Sequence, residues 1–265
     1  MYNLILADLY KLRKSMIIKL LFASTTISAV LMVVMAYMIT QDKVEPSMTG
    51  IGFMFSDINM ISILGAAIAG ILICGDFDNK TIHDAIASGC SRGAVIITKS
   101  IIFCSALAII LIPYMLITLI SLGTGLEFNM GSEALGFLYL LTSEAGTVIS
   151  ISEVWRLLLI ILTLTILYIA QLSVCLPLAL TLKKPVLVLA IYYGFSILSG
   201  QLMRIKGTFP VFDRIFAFTP YGSNHIFITL DTGIGDIFTT IIVSLLYLLI
   251  MIVISYCIFR KMEIK

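Results

Sequence analysis

Long apolar stretches separated by short polar ones dominate this chain. Six runs contain no Asp, Glu, Lys or Arg: Leu20–Ile39, Ile58–Gly75, Ser100–Leu122, Leu157–Leu182, Pro185–Met203 and Ile237–Phe259. A helix crossing about 30 Å of hydrocarbon needs about 20 apolar residues. The pattern therefore predicts an all-α polytopic membrane protein: six transmembrane helices in a single transmembrane domain, 1–265. The first run lies too far from the start for a signal peptide and precedes no small-residue cleavage site, so it is expected to stay.

The breaks between runs carry their own periodicity. Ile5, Leu9, Leu12 and Met16 recur on one helical face, with Asp8, Lys11 and Ser15 opposite and Lys14 close by. That predicts an amphipathic interfacial helix over 1–16, its basic side toward lipid headgroups. In the segment 76–92, Gly75 is placed to end span two and Asp78 or Thr81 to cap a short helix. Ile82, Ala85 and Ile86 would form the small apolar face of that helix, and Gly89 would stop it. Ser91 would cap span three, with Arg92 and Lys99 as interface anchors. Nothing in the segment covers the apolar face, so it is expected to invite a partner.

Other local signals are weaker. Gly65, Ala66, Ala69 and Gly70 in span two let helices approach closely, either within the chain or across a dimer. The two-residue turn Lys183–Lys184 makes spans four and five an antiparallel pair, and Pro113 and Pro177 predict kinks. Ala134–Leu141 reads as a short helix on the outer surface. Phe209–Leu230 is an aromatic-rich run broken by Pro210, Pro220 and Gly222.

Composition sharpens the class. The 265 residues are 60% hydrophobic and 12% charged, with a mean hydropathy of +1.11. Soluble domains carry about 25% charged residues; half that number cannot cover a water-exposed globule. A soluble enzyme, a disordered regulator and a nucleic-acid-binding protein are excluded together. Lys and Arg set orientation in membranes. With both termini cytoplasmic, twelve fall inside and five outside, while the acids divide five inside and ten outside. The five cysteines are scattered without a C-x-x-C pair, which predicts free thiols and no metal site.

Missing chemistry narrows the function. The apolar runs hold no ionisable carboxylate, Lys, Arg or His, which disfavours a proton- or ion-coupled transporter. Gln171 with Ser173, and Asn59, are neutral and predict interhelical hydrogen bonds. His83 and His225 are the only histidines and fall on opposite faces, so no zinc-protease motif exists; no Gly-Lys dipeptide occurs, so there is no Walker A loop. Ser88-Gly89-Cys90-Ser91 has no base beyond His83. No cofactor is expected on this chain. The outer stretch with Glu127, Glu133, Glu144 and Glu153 has no Lys or Arg, which follows from the orientation bias and would also attract a cationic peptide.

Gly75-Asp76-Phe77, then Lys80-Thr81-Ile82, then Ser91-Arg92 and Lys99, resemble the first cytoplasmic loop of type-2 ABC exporter permeases. The motif covers about 25 residues, with Asp76 where Glu is commoner and Gly89-Cys90 where a Pro often stands. The six spans, basic amphipathic start and long loop before the last span are similar to that family over the whole chain. The resemblance implies a bacterial inner-membrane permease subunit for an amphipathic or hydrophobic compound such as an antimicrobial peptide. It further implies a second permease chain and two copies of a separate ABC ATPase that holds ATP and Mg. Asp76, Phe77, Lys80, Thr81, Ile82, Ala85, Ile86, Ser91 and Arg92 would then form the ATPase-coupling contact, and Phe209–Leu230 re-entrant outer helices. Spans one, two and five would line the path, with Gly65, Ala66, Ala69 and Gly70 available to the permease dimer. Two readings of other classes stay open: a membrane immunity or assembly factor, and the coupling component of a vitamin importer, for which Ser91-Arg92-Gly93 is one of two motifs required.

Overall fold

A computed structural model describes residues 2–43, 54–130, 134–146, 151–204 and 210–262. Every element among them is helical. They are α1 (Tyr2–Lys14), α2 (Met16–Thr40), α3 (Asp57–Asp78), α4 (Thr81–Ala87), α5 (Arg92–Gly123) and α6 (Gly136–Ser143). Then follow α7 (Ile151–Leu172), α8 (Cys175–Leu182), α9 (Pro185–Arg204), α10 (Pro210–Ala217), α11 (Ser223–Ile226) and α12 (Ile234–Lys261). Six helices are long and apolar enough to cross a membrane: α2, α3, α5, α7 with α8, α9 and α12. By that measure, taken over the described residues, the chain is a multi-pass membrane protein.

Each spanning helix outruns its apolar run. α2 starts at Met16 and passes Lys19, and α5 starts at Arg92 and passes Lys99. A charged side chain marks the edge of the hydrocarbon, not the edge of the helix, because the backbone bonds continue into the interface. Span two shows this at both ends: α3 contains Asp57 and Asp76 as well as the apolar run. Gly75 therefore does not end span two; its φ of −61° and ψ of −30° are helical, and α3 continues to Asp78.

The helix of span four breaks between Leu172 and Cys175, just before Pro177, whereas Pro113 lies inside the continuous α5. A proline forces the carbonyl four residues earlier out of the ladder; here that is Ser173, at the break between α7 and α8. α3 has its own irregularity, a π turn over Gly70–Cys74. It sits where α9 begins: a Cβ on Gly70 would lie 2.8 Å from the Pro185 Cβ. A Cβ on Gly65 would lie 2.6 Å from Leu172 and 3.2 Å from Leu107. Ala66 and Ala69 are fully buried as well. All four small residues thus pack within one chain.

Packing pairs α2 with α5, α3 with α9, α7 with α12, and α8 with both α9 and α12. Polar crosslinks fix the first of these: the Tyr114 hydroxyl donates to Ser28 at 2.9 Å, and Ser28 donates to the Phe55 carbonyl at 3.1 Å. The core runs through Met32, Phe103, Leu107, Ile110, Leu164 and Tyr192. α6 is displaced by two residues from the expected Ala134–Leu141, and it is not a surface helix. Phe137, Leu138, Leu140 and Leu141 are fully buried.

Candidate functional site

The segment joining α3 to α5 lies on the side of the termini, and its polar residues are tied into the bundle. The Asp76 carboxylate, 3% exposed, accepts from Lys11 at 2.6 Å through one oxygen and from Lys99 at 2.5 Å through the other. Lys99 also reaches Asp8 at 2.6 Å. Two acids and two lysines thus alternate, Asp8–Lys99–Asp76–Lys11, joining α1, α3 and α5 in a neutral cluster. A charge at the end of a membrane span is costly alone; alternation leaves none alone.

This corrects the expected orientation of α1. Ile5, Leu9 and Leu12 do pack on the protein, but Asp8 turns inward with them, so the side facing headgroups is not the whole polar side. Lys11 is half exposed, while Lys14 stays exposed with its Nζ 5.4 Å from the Tyr10 ring centroid.

α4 forms as expected but is mounted differently. Its N-cap is Lys80 in the left-handed region at φ 57°, with no side-chain cap. Neither Asp78 nor Thr81 caps it; the Thr81 hydroxyl donates to the Asp76 carbonyl at 3.2 Å. At its end, Cys90 N–H reaches the Ala85 carbonyl at 3.1 Å and Gly89 N–H the Ile86 carbonyl at 3.0 Å. With Gly89 at φ +92°, that is a Schellman stop, a conformation open to glycine. Ser91 caps α5 by accepting from Ala94 N–H at 3.2 Å.

The apolar face of α4 is not free. Ile82 is 1% exposed and lines the same small cavity as Ile73, Val95, Ile96 and Leu180. Ala85 and Ile86 are half-buried against the same core. Lys80, Thr81, Asp84 and Ala87 are exposed, so the outward surface of α4 is mostly polar.

Two further residues bind this corner to the far half of the bundle. The Phe77 ring lies 5.1 Å beneath Lys183 Nζ, at the turn between α8 and α9, and edge-on to Phe259 at 6.5 Å between centroids. Arg92 Nη1 donates to the carbonyls of Phe259, Arg260 and Met262 at 3.1, 2.7 and 2.9 Å. These carbonyls end α12, and that of Phe259 also accepts from the Met262 N–H at 3.3 Å; the last carbonyls of a helix need donors from outside it, and a guanidinium also suits the negative end of the helix dipole.

Sequence reasoning missed the opposite face. Asp57, fully buried at the start of α3, accepts from the Phe137 N–H at 2.7 Å and from the Tyr168 hydroxyl. It thereby caps α6 from another helix. Glu144 accepts from the Leu230 N–H at 2.7 Å, and Arg156 donates to the Thr232 carbonyl at 2.6 Å. Gln171, expected to bond between spans, donates instead to the Pro220 carbonyl at 2.8 Å, and the Tyr221 hydroxyl donates to the Gln171 carbonyl at 2.7 Å. His225 is buried between Thr240 and the Ala217 carbonyl, each at 2.8 Å. Glu133 and Lys206 lie outside the described residues.

Compared with models of known families and with curated proteins, the sequence matches none. Among the described residues no cluster of His, Cys, Asp and Glu could hold a metal ion. What the site offers is mechanical. A short helix with a polar outer surface is fastened through Asp76, Phe77, Ile82 and Arg92 to α1, α5, the α8–α9 turn and α12.

Proposed function

We propose that this chain is the membrane-spanning permease subunit of an ATP-driven exporter that moves an amphipathic or hydrophobic compound, of the antimicrobial-peptide kind, outward across a bacterial inner membrane. It is no enzyme itself; a separate pair of ABC ATPase subunits holds ATP and Mg. A second permease chain, identical or related, completes the path. The observation that carries this reading is the mounting of α4. A push on its outer surface reaches α1 and α5 through the ionic cluster, the α8–α9 turn through Phe77, and α12 through Arg92. A loop with no mechanical role has no need of four separate attachments.

The outer half supports transport more weakly. Tyr221 stacks edge-on with Phe195 at 5.1 Å and Tyr247 at 6.2 Å. Tyr247 is 13 residues along α12 from Ile234, about 20 Å at 1.5 Å per residue. That depth favours a re-entrant course for the segment before α12. Spans α2 and α9 keep large apolar side chains exposed, among them Ile27, Val34, Leu198 and Leu202, which suits a second chain or lipid.

The test uses the exposed residues of α4, because a charge at Ile82 would disrupt the core as well as any docking. Lys80→Glu with Asp84→Lys reverses the outer surface without touching a buried group. Co-expressed with its ABC ATPase, the unmodified chain captures it, and ATP hydrolysis rises with the exported compound. The variant reaches the membrane at normal levels and loses capture. An active, purified single chain that exports without any ATPase would refute the proposal.

A further inference from the structure

Between α5 and α12, beside the Arg92 clamp, lies an open groove of about 560 Å³. One end is cationic: Arg92 and Arg260 both line it. The walls are apolar, with Ile97, Ile252, Val253 and Tyr256, of which Val253 is 59% exposed. Arg92 uses Nη1 for the three carbonyls of α12, and its Nε and Nη2 have no protein partner among the described residues. Arg260 has none there either, and no described carboxylate pairs with either arginine.

We propose that this groove is a binding site for an anionic phospholipid of the leaflet on the side of the termini. The phosphate sits at the unpaired donors of Arg92 and Arg260, and an acyl chain lies along Ile97, Ile252 and Val253. Charge complementarity and position select this occupant. The arginines sit where the apolar helices end, which is headgroup depth, and the walls below them lie at acyl depth. A guanidinium presents planar paired donors that match phosphate oxygens. A soluble anion would leave the apolar wall uncovered, and a zwitterionic lipid would leave the two positive charges unbalanced. The proposal is independent of the transport reading, since it needs only the groove and a bilayer.

The experiment is native mass spectrometry on the whole chain in detergent, equilibrated with equal amounts of phosphatidylglycerol and phosphatidylcholine. The unmodified chain retains phosphatidylglycerol in preference. Arg260→Gln lowers that retention about fivefold, the usual contribution of one basic residue at a membrane surface, and is expected to fold because Arg260's side chain holds no protein group. Val253→Trp, which fills the groove and alters no charge, lowers it as well. Lys14→Gln removes the same charge on the same side and leaves retention unchanged. Soluble glycerol phosphate in excess leaves the lipid bound. Equal retention of the two lipids, equal loss in Lys14→Gln, unchanged retention in Arg260→Gln, or displacement by glycerol phosphate would each overturn the proposal.

Discussion

Lys99→Met probes the ionic cluster most directly. Lys99 is 10% exposed in its side chain and is the one cation among the described residues that touches both carboxylates, Asp8 and Asp76. Removing it leaves Asp8 without its partner and Asp76, 3% exposed, held by Lys11 alone. Breaking a buried pair by deleting one member costs about 3–5 kcal/mol, because the other charge stays buried. At about 2–4 °C per kcal/mol for a chain of this size, that predicts a fall in Tm of about 6–20 °C. Lys11→Met is the contrast. Lys11 is 54% exposed, so water screens its bond, and the loss is about 1 kcal/mol or less. The assay is thermal unfolding in detergent, read by a thiol-reactive dye at the buried Cys74 and Cys175. Combining Lys99→Met with Asp8→Asn restores part of the loss, since the stranded charge is gone and the Lys11–Asp76 pair remains. If the two lysine variants shift Tm equally, or the double variant is worse than the sum, burial does not govern this cluster and the argument fails.

Three more outcomes are expected. Gly136→Ala destabilises strongly, because φ is +59° and the new Cβ would fall on the Tyr168 hydroxyl and 2.5 Å from Asp57 Oδ2; the same dye assay checks it, and an unchanged Tm refutes it. Tyr221→Phe frees the Gln171 carbonyl at the α7–α8 break and costs about 1–3 kcal/mol, the range for a buried unsatisfied acceptor, while Tyr193→Phe serves as a control. Single-cysteine labelling in intact cells should modify a probe at Asp231 and spare one at Asn79, as the Lys and Arg bias predicts; labelling at Asn79 reverses the orientation.

The six spans are legible in the sequence because hydrophobic length is a local property and the bilayer sets its scale. Pro177 likewise announces the α7–α8 break, since a missing N–H acts within four residues. Helix ends are less legible: Met16 and Arg92 begin spans four and eight residues before the apolar runs at Leu20 and Ser100. The expected α6 is two residues out of place and on the wrong side of the surface. Its burial depends on Asp57, about 80 positions away, and no local pattern carries that. The split of α4 into buried Ile82 and exposed Lys80, Thr81 and Asp84 has the same origin. Periodicity identifies the apolar face, but not that α3 and α5 of the same chain already cover it.

The ionic cluster shows where a stronger inference is open to sequence reasoning. Asp8, Asp76 and Lys99 each sit beside an apolar stretch on the same predicted side. Taken singly, they read as a headgroup contact, a partner contact and an anchor. A carboxylate at the end of a span is unfavourable unless a cation answers it. Counting charge by depth rather than by segment pairs Asp76 with Lys99, 23 positions on. Lys11 is 65 positions away from Asp76 and has Lys14 and Lys19 as equal candidates, so that bond needs the docking of α1. The same accounting bears on transport. The motif residues Asp76, Phe77 and Arg92 make contacts inside the chain, so under the proposed function a partner ATPase would meet the exposed Lys80, Thr81, Asp84 and Ala87. On that proposal, specificity for the partner would rest on exposed charge at α4, and transmission on the buried residues behind it. Exposed charge can change without loss of fold, whereas the buried set cannot; under the proposed function, one membrane frame of this kind would be fitted to different ATPases by substitutions confined to the exposed side of α4.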